Sequence, residues 1–244
     1  MDEVLVHLHV PKCAGTSIRN ALLRTFGDER TVRGHEREIV ERLAVMSPAE
    51  RSEVRVVSGH VTVKILRFFA NRPAICVAAV RDPIERICSF FNFVHTQRRH
   101  PMHSIFEAQL PSPDALTDEI MESRPFFTTA WSNPFCRILA GVPTTTDADY
   151  GRVERDVRQR VRAGELHVGN VAEVEAYLRR GGFVAETLPR ANVFVGGDGH
   201  EPFQTATPSR LSAATLRRLR DWNRYDLQLF RAMGWPLSRP IELT

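Results

Sequence analysis

Residues 74–80 read Ala-Ile-Cys-Val-Ala-Ala-Val, seven apolar residues in a row, and the run stops abruptly at Arg81-Asp82-Pro83. A run this short, rich in β-branched residues and followed at once by charge and proline, reads as a strand buried on both faces. Such a strand needs cover on two sides, which only a sheet with helices packed against it provides. The rest of the chain fits that demand. Residues 4–10 and 54–58 read as further strands. Residues 16–26, 36–45 and 83–98 read as helices, the last with Asp82 as its cap, Pro83 in its first turn and Glu85 completing a variant capping box. Residues 150–163 form a charged helix, and 166–168 and 193–195 are short strands with a helix at 171–180 between them. One last helix spans 213–233. Alternating strands and helices predict an α/β fold, a single domain over 1–244 with a central, mainly parallel sheet flanked by helices.

Several classes drop out on composition. Hydrophobic residues at 43% and charged residues at 25% are globular values rather than those of a disordered chain. No stretch approaches the ~18 apolar residues of a membrane span, so no integral membrane segment is expected. The N-terminus runs straight into an apolar strand without the pattern of a secretory leader, so a cytoplasmic location is expected. The four cysteines, Cys13, Cys76, Cys88 and Cys136, form no Cys-x-x-Cys pair and no zinc spacing. They fit a reduced protein, with Cys76 and Cys88 as small core residues, and no metal site is expected. The net charge is +4, but only two of the 33 basic residues are lysines, Lys12 and Lys64. The arginines are scattered rather than striped, which argues against a nucleic-acid partner.

In open parallel sheets ligands bind beyond the carboxyl ends of the strands. Two motifs lie there. The first, His9-Val10-Pro11-Lys12-Cys13-Ala14-Gly15-Thr16-Ser17, joins a strand to a helix. Cys13, Ala14 and Gly15 are small enough for close backbone approach. The helix N-terminus supplies N–H groups and a positive dipole end, and Lys12, Thr16 and Ser17 add a charge and two hydroxyls. Together these make a phosphate or sulfate cradle. It is not a Walker A loop, because the lysine precedes the small residues instead of following a second glycine. The second motif, Arg81-Asp82-Pro83-Ile84-Glu85-Arg86-Ile87-Cys88-Ser89-Phe90-Phe91, leaves the carboxyl end of the buried strand. Arg81 and Ser89 can grip one phosphate from two sides. A third segment, Ser58-Gly59-His60, ends another strand at the same edge, and a neutral imidazole there suits a general base.

PKCAGTS after one strand and VRDPIERICSFF after a later one resemble the sulfotransferases that use 3′-phosphoadenosine 5′-phosphosulfate (PAPS). The nearest likeness is to the carbohydrate branch that includes heparan sulfate 2-O-sulfotransferase and bacterial relatives. Weaker likeness continues in residues 133–141 and 223–226. The resemblance implies the P-loop-like sulfotransferase fold. It also implies that Pro11 through Ser17 hold the 5′-phosphosulfate, with Lys12 on the oxygen between phosphorus and sulfur and Thr16 and Ser17 on phosphate oxygens. Arg81 and Ser89 would hold the 3′-phosphate. A histidine in a similar Gly-His context is catalytic in the related 2-O-sulfotransferases, so His60 is the candidate base. The sequence departs from the relatives at Ala14, where a second glycine is common. The implied reaction is in-line transfer of a sulfuryl group to an acceptor hydroxyl, releasing adenosine 3′,5′-bisphosphate (PAP) without a metal.

Residues on the acceptor side are less defined. His9 lies beside the first loop, either packed or facing substrate. Arg98, Arg99, His100 and His103 form a basic cluster that suits an anionic glycan or a solvated loop. Asn133 and Arg137 share a face if their segment is helical. Phe126, Phe127 and Trp131 fit an acceptor pocket or an aromatic core. The partner is a hydroxyl-bearing small molecule or glycan, while its identity and the oligomeric state are left open. Two other classes remain: a non-catalytic nucleotide- or glycan-binding module, and a small-molecule kinase. Lys12 together with His60 speaks against the first, the missing Walker A lysine against the second.

Overall fold

A computed structural model describes residues 3–122, 130–143, 145–188 and 205–237. In chain order the elements are β1 (Val4–Leu8), α1 (Gly15–Phe26), β2 (Thr31–His35), α2 (Glu36–Val45), α3 (Pro48–Glu53), β3 (Val56–His60), β4 (Ala74–Ala79) and α4 (Pro83–Thr96). There follow α5 (His103–Gln109), α6 (Asp118–Glu122), α7 (Pro134–Ala140), α8 (Asp147–Arg162), β5 (Leu166–Gly169), α9 (Val171–Arg180), α10 (Ala213–Trp222) and α11 (Arg224–Met233). Among the described residues the strands form one five-stranded sheet in the order β2-β3-β1-β4-β5, every neighbouring pair parallel. The fold is α/β, with helices flanking a central parallel sheet, as the apolar run at 74–80 requires.

Burial follows the sequence pattern. Every residue of β1 is buried, as are Ile75 to Ala79 of β4, because both strands are interior and covered on both faces. Val32 and Val57 continue this core toward β2 and β3. Two elements differ from the sequence reading. β2 is a strand where none is expected: its Thr31 and Val32 are buried, but Arg33 and Gly34 break the apolar signal. The helix expected over 213–233 is two helices. The chain turns at Asn223, which is fully buried and sends its side-chain amide to the Leu219 carbonyl at 2.9 Å. The strand expected at 193–195 lies outside the described residues.

The chain divides into two compact units, residues 1–80 with 135–192, and residues 81–134 with 193–244. The first holds the whole sheet. The second packs Ile84, Ile87, Phe91 and Val94 of α4 against Phe106, Trp131, Leu216 and Leu219. Polar clasps join its two chain segments. The Asn92 side chain exchanges two hydrogen bonds with the Ala206 backbone, and Asp114 accepts from the Thr215 hydroxyl at 2.6 Å. Asn133 Oδ1 accepts from the backbone N–H groups of Tyr225 and Asp226, both at 3.0 Å. These are orphan donors in the first turn of α11, so Asn133 caps a helix about ninety residues away in sequence.

Candidate active site

The first unit builds its site at the carboxyl edge of the sheet. The loop after β1 turns through two non-glycine residues in the left-handed region, Lys12 at φ 67° and Ala14 at φ 60°. Each costs on the order of 1 kcal/mol or more, and such strain collects where a loop must hold a special shape. α1 then starts at Gly15 with no side-chain cap and no acidic residue in its first turn. Its positive end is therefore not neutralised by its own carboxylates. Ser17 is buried, while Lys12 and Thr16 are half-buried. Gly15 has a steric reason to be glycine, since a methyl group on its Cα would overlap the His9 ring.

His9 belongs to a row of four imidazoles. Strand register sets it: β1 pairs Leu8 with Gly59 of β3, and β2 pairs His35 with His60. His9 stacks on His60 with ring centroids 4.4 Å apart, His60 faces His35 at 5.3 Å, and His7 faces His9 at 5.5 Å. The His7 Nδ1 is 2.8 Å from the Ser58 hydroxyl. The Gly59 position cannot carry a side chain, because a Cβ would meet the Gly34 carbonyl of β2 and lie 2.6 Å from Ile39 Cδ1. Two glycines facing each other let β2 and β3 deliver their terminal histidines side by side.

One hydrogen bond defines the state of His60. Its Nδ1 lies 2.8 Å from the His9 carbonyl oxygen. A carbonyl only accepts, so Nδ1 carries the proton and Nε2 carries the lone pair. The residue is exposed at its outer edge. Its pKa is lowered, first because the flanking rings strip water from it and then because His35 and Arg19 add positive charge; the His9 carbonyl opposes this. His9 is pulled down to about 3, mainly by burial and next by His60 and Arg19, and His7, fully buried, is also well below the ordinary value. His7, His9 and His60 are thus held toward the neutral form.

The second unit carries the other motif. Asp82 caps α4, accepting from Ile84 and Glu85 N–H at 2.8 and 3.0 Å, as the sequence predicts. Arg81 is exposed, and its Nε donates to Glu85 at 3.0 Å. Glu85 and Ser89 are four residues apart, so they are neighbours on one face of the helix. Arg81 and Ser89 therefore flank a common strip, with a carboxylate between them.

The acceptor-side candidates separate by their contacts. Arg98 and Arg99 are exposed and make no ion pair among the described residues. His103 Nδ1 is bonded to the Val94 carbonyl at 2.9 Å, and His100 sits edge-on to Phe90 and Phe93. Asn133 precedes α7 in the left-handed region at φ 46° and is committed to capping α11, whereas Arg137 is half-buried on α7. Trp131 is fully buried against Phe90 and Phe106, a core position. Phe126 and Phe127 lie outside the described residues. On α8, Arg152 and Arg158 pair with Asp149 and Glu154, and Arg160 pairs with Glu165, as expected of a solvated face. All four cysteines are free and buried, and burial pushes the Cys76 and Cys88 thiols up to about 12.

Sequence reasoning did not single out His35, Ser58 and Arg19, which contact or act on the histidine row. A signal for His35 existed. Thr31-Val32-Arg33-Gly34-His35 and Val56-Val57-Ser58-Gly59-His60 share the pattern x-Val-x-Gly-His, and the two segments pair residue for residue.

Residues 1–121 match the model described as the Sulfotransferase family, just under half of the chain. The matched span contains the β1–α1 loop, the histidine row and the 81–89 segment. No curated protein matches the chain. The family match, on an α/β fold with a parallel sheet, supports a sulfotransferase and with it sulfuryl transfer as the general activity. Among the described residues no helix is long and apolar enough to cross a membrane.

Proposed function

We propose that the protein transfers a sulfuryl group from PAPS to a hydroxyl of a carbohydrate or glycoconjugate by in-line displacement, in the cytoplasm. The observation that carries this reading is the His60 Nδ1–H bond to the His9 carbonyl. It leaves Nε2 as the proton-accepting atom on the open edge of a neutral ring, beside the β1–α1 loop.

The loop fits the donor by its chemistry. It combines an uncapped helix N-terminus with one ammonium and two hydroxyls, a donor set suited to oxyanions. When bound, PAPS supplies a sulfuryl group already joined to a phosphate leaving group. Lys12 stabilises charge developing on the leaving oxygen, and Thr16 and Ser17 hold phosphate oxygens. Arg81 and Ser89 hold the 3′-phosphate. His60 takes the acceptor proton. Arg98 and Arg99 are the acceptor-facing cations, with Arg137 as a further candidate, while His103 and Asn133 shape the backbone. The scheme places charge stabilisation on Lys12 and calls on no metal.

The test is transfer of labelled sulfate from PAPS to a panel of glycan and small-molecule acceptors. His60→Ala is expected to lower kcat by about 10²–10⁴-fold. The base works when neutral, so wild-type kcat/KM should fall only at a pH below the range in which an ordinary imidazole titrates, as pH drops through the lowered pKa of His60. Tight PAP binding without transfer would replace this reading with a binding module. Preferential Mg-ATP turnover would replace it with a kinase.

A further inference from the structure

His9 carries no assigned step in this chemistry, yet its surroundings are unusually constrained. Its ring fills the space beside the Gly15 Cα, where a methyl group would overlap it. The ring also stacks on His60 at 4.4 Å with an interplanar angle of 29°. Its own carbonyl receives the His60 Nδ1–H. The residue is 9% exposed, which leaves little room for a substrate contact. The same residue therefore touches both the donor loop and the proton-accepting ring, once by its backbone and once by its side chain.

We infer that His9 is a positioning residue: its flat ring is a spacer that fixes the plane of His60 against the β1–α1 loop, while its carbonyl fixes the tautomer. Gly15 is then a glycine because the spacer occupies the place of its side chain. The titratable and charged groups acting on the His9 ring are His7 on β1, His35 at the end of β2, His60 at the end of β3 and Arg19 on α1. Burial strips water from the ring and the Arg19 guanidinium stands nearby, so a charged His9 is disfavoured. An uncharged planar ring is what the position requires, and its ring nitrogens are not used in the reaction. This role rests on His60 being the base, but the geometry it claims exists without turnover.

The experiment therefore has two arms. The first is kinetic. His9→Ala should lower kcat on the order of 10–100-fold, the scale of a small misplacement of a catalytic group, with PAP affinity by calorimetry unchanged. His9→Phe keeps a plane in the same place and should restore most of kcat. The second arm uses long-range ¹H–¹⁵N spectra of protein labelled at histidine. His60 should be the Nδ1–H tautomer in the wild type and in His9→Phe; in His9→Ala the backbone carbonyl remains but the ring that holds His60 against it is gone, so the bond should loosen and a tautomer mixture appear. Gly15→Ala, which displaces the ring without removing it, should give the same mixture. It also provides the answer if His9→Ala does not fold.

Full kcat in His9→Ala, or a His9→Phe variant as slow as His9→Ala, would overturn the inference. So would PAP affinity that falls in step with kcat, since His9 would then be building the loop. If the wild type transfers no sulfate, the function proposed above fails while the spectra still decide the positioning role. A His60 tautomer indifferent to His9 and Gly15 would reject that role on its own.

Discussion

Residues 11–17 and residues 81–89 each follow a buried strand, and each is suited to an oxyanion, but they present charge in different ways. The first relies on backbone. Two left-handed residues shape the turn, a helix N-terminus provides aligned N–H groups, and the neighbouring histidines are held toward neutrality. The second relies on side chains. Arg81 is exposed and already engaged by Glu85, so an incoming phosphate must compete with an internal carboxylate. The backbone site spends its strain during folding and is ready for ligand. The side-chain site must exchange one partner for another at the moment of binding. The proposed roles, the reacting bond for the first and an anchoring phosphate for the second, would match the demand for preorganisation where charge develops.

The sharpest way to break this contrast is Lys12→Arg. A planar fork cannot replace a compact ammonium on a strained turn. Sulfate transfer should fall by about 10²–10³-fold, the scale of losing one charge-stabilising donor, and near-normal turnover would show that the loop is more tolerant than its backbone implies. Arg81→Lys should be gentler, weakening PAP binding about tenfold by loss of a forked contact, with turnover at saturating donor preserved. A calorimetric titration that finds no change would remove Arg81 from the anchor. Glu85→Gln should act in the opposite direction, tightening PAP binding several-fold on the scale of a surface ion pair. Weaker binding in that variant would mean that Glu85 holds Arg81 in place rather than competing for it. The smallest effect belongs to Ala14→Gly. It relieves one left-handed alanine and should raise stability by at most about 1 kcal/mol, or roughly 2–4 °C in melting temperature. A lower melting temperature would show that the loop gains more from a stiff alanine than it loses to strain.

The legible parts of the sequence were those where one physical demand dominates. Seven apolar residues at 74–80 demand a doubly covered strand, and they are β4 with its extension. Asp82-Pro83 demands a helix start, and α4 begins there. Lys12 and His60 lie where the sequence places them, just after β1 and at the end of β3. β2 was not legible, because an edge strand needs only a few buried side chains and Arg33 and Gly34 dilute them. Its partner was needed to recognise it. The break at Asn223 was hidden because the apolar spacing continues across it; the bonds that mark it, from Asn223 to Leu219 and from Ser132 and Asn133 to the Trp222 carbonyl, are partly long-range. The histidine row was invisible in principle from spacing alone. Its members sit 26, 25 and 2 positions apart along the chain, and only strand register makes them neighbours.

The clasps of the second unit bear on how the chain acquires its structure as it is synthesised. Asn92 waits for Ala206, Asp114 for Thr215, and Asn133 for Tyr225 and Asp226, separations of 114, 101 and 92 to 93 residues. The first unit can assemble its sheet once β5 has emerged near residue 169. The second cannot close these clasps until the segment through Asp226 is free. During that interval Asn92 and Asn133 lack those partners, and a chain stopped near residue 205 would never supply them. Late C-terminal truncations should therefore be recognised by the cell as unfinished protein even though the donor loop, the histidine row and every described strand are already present.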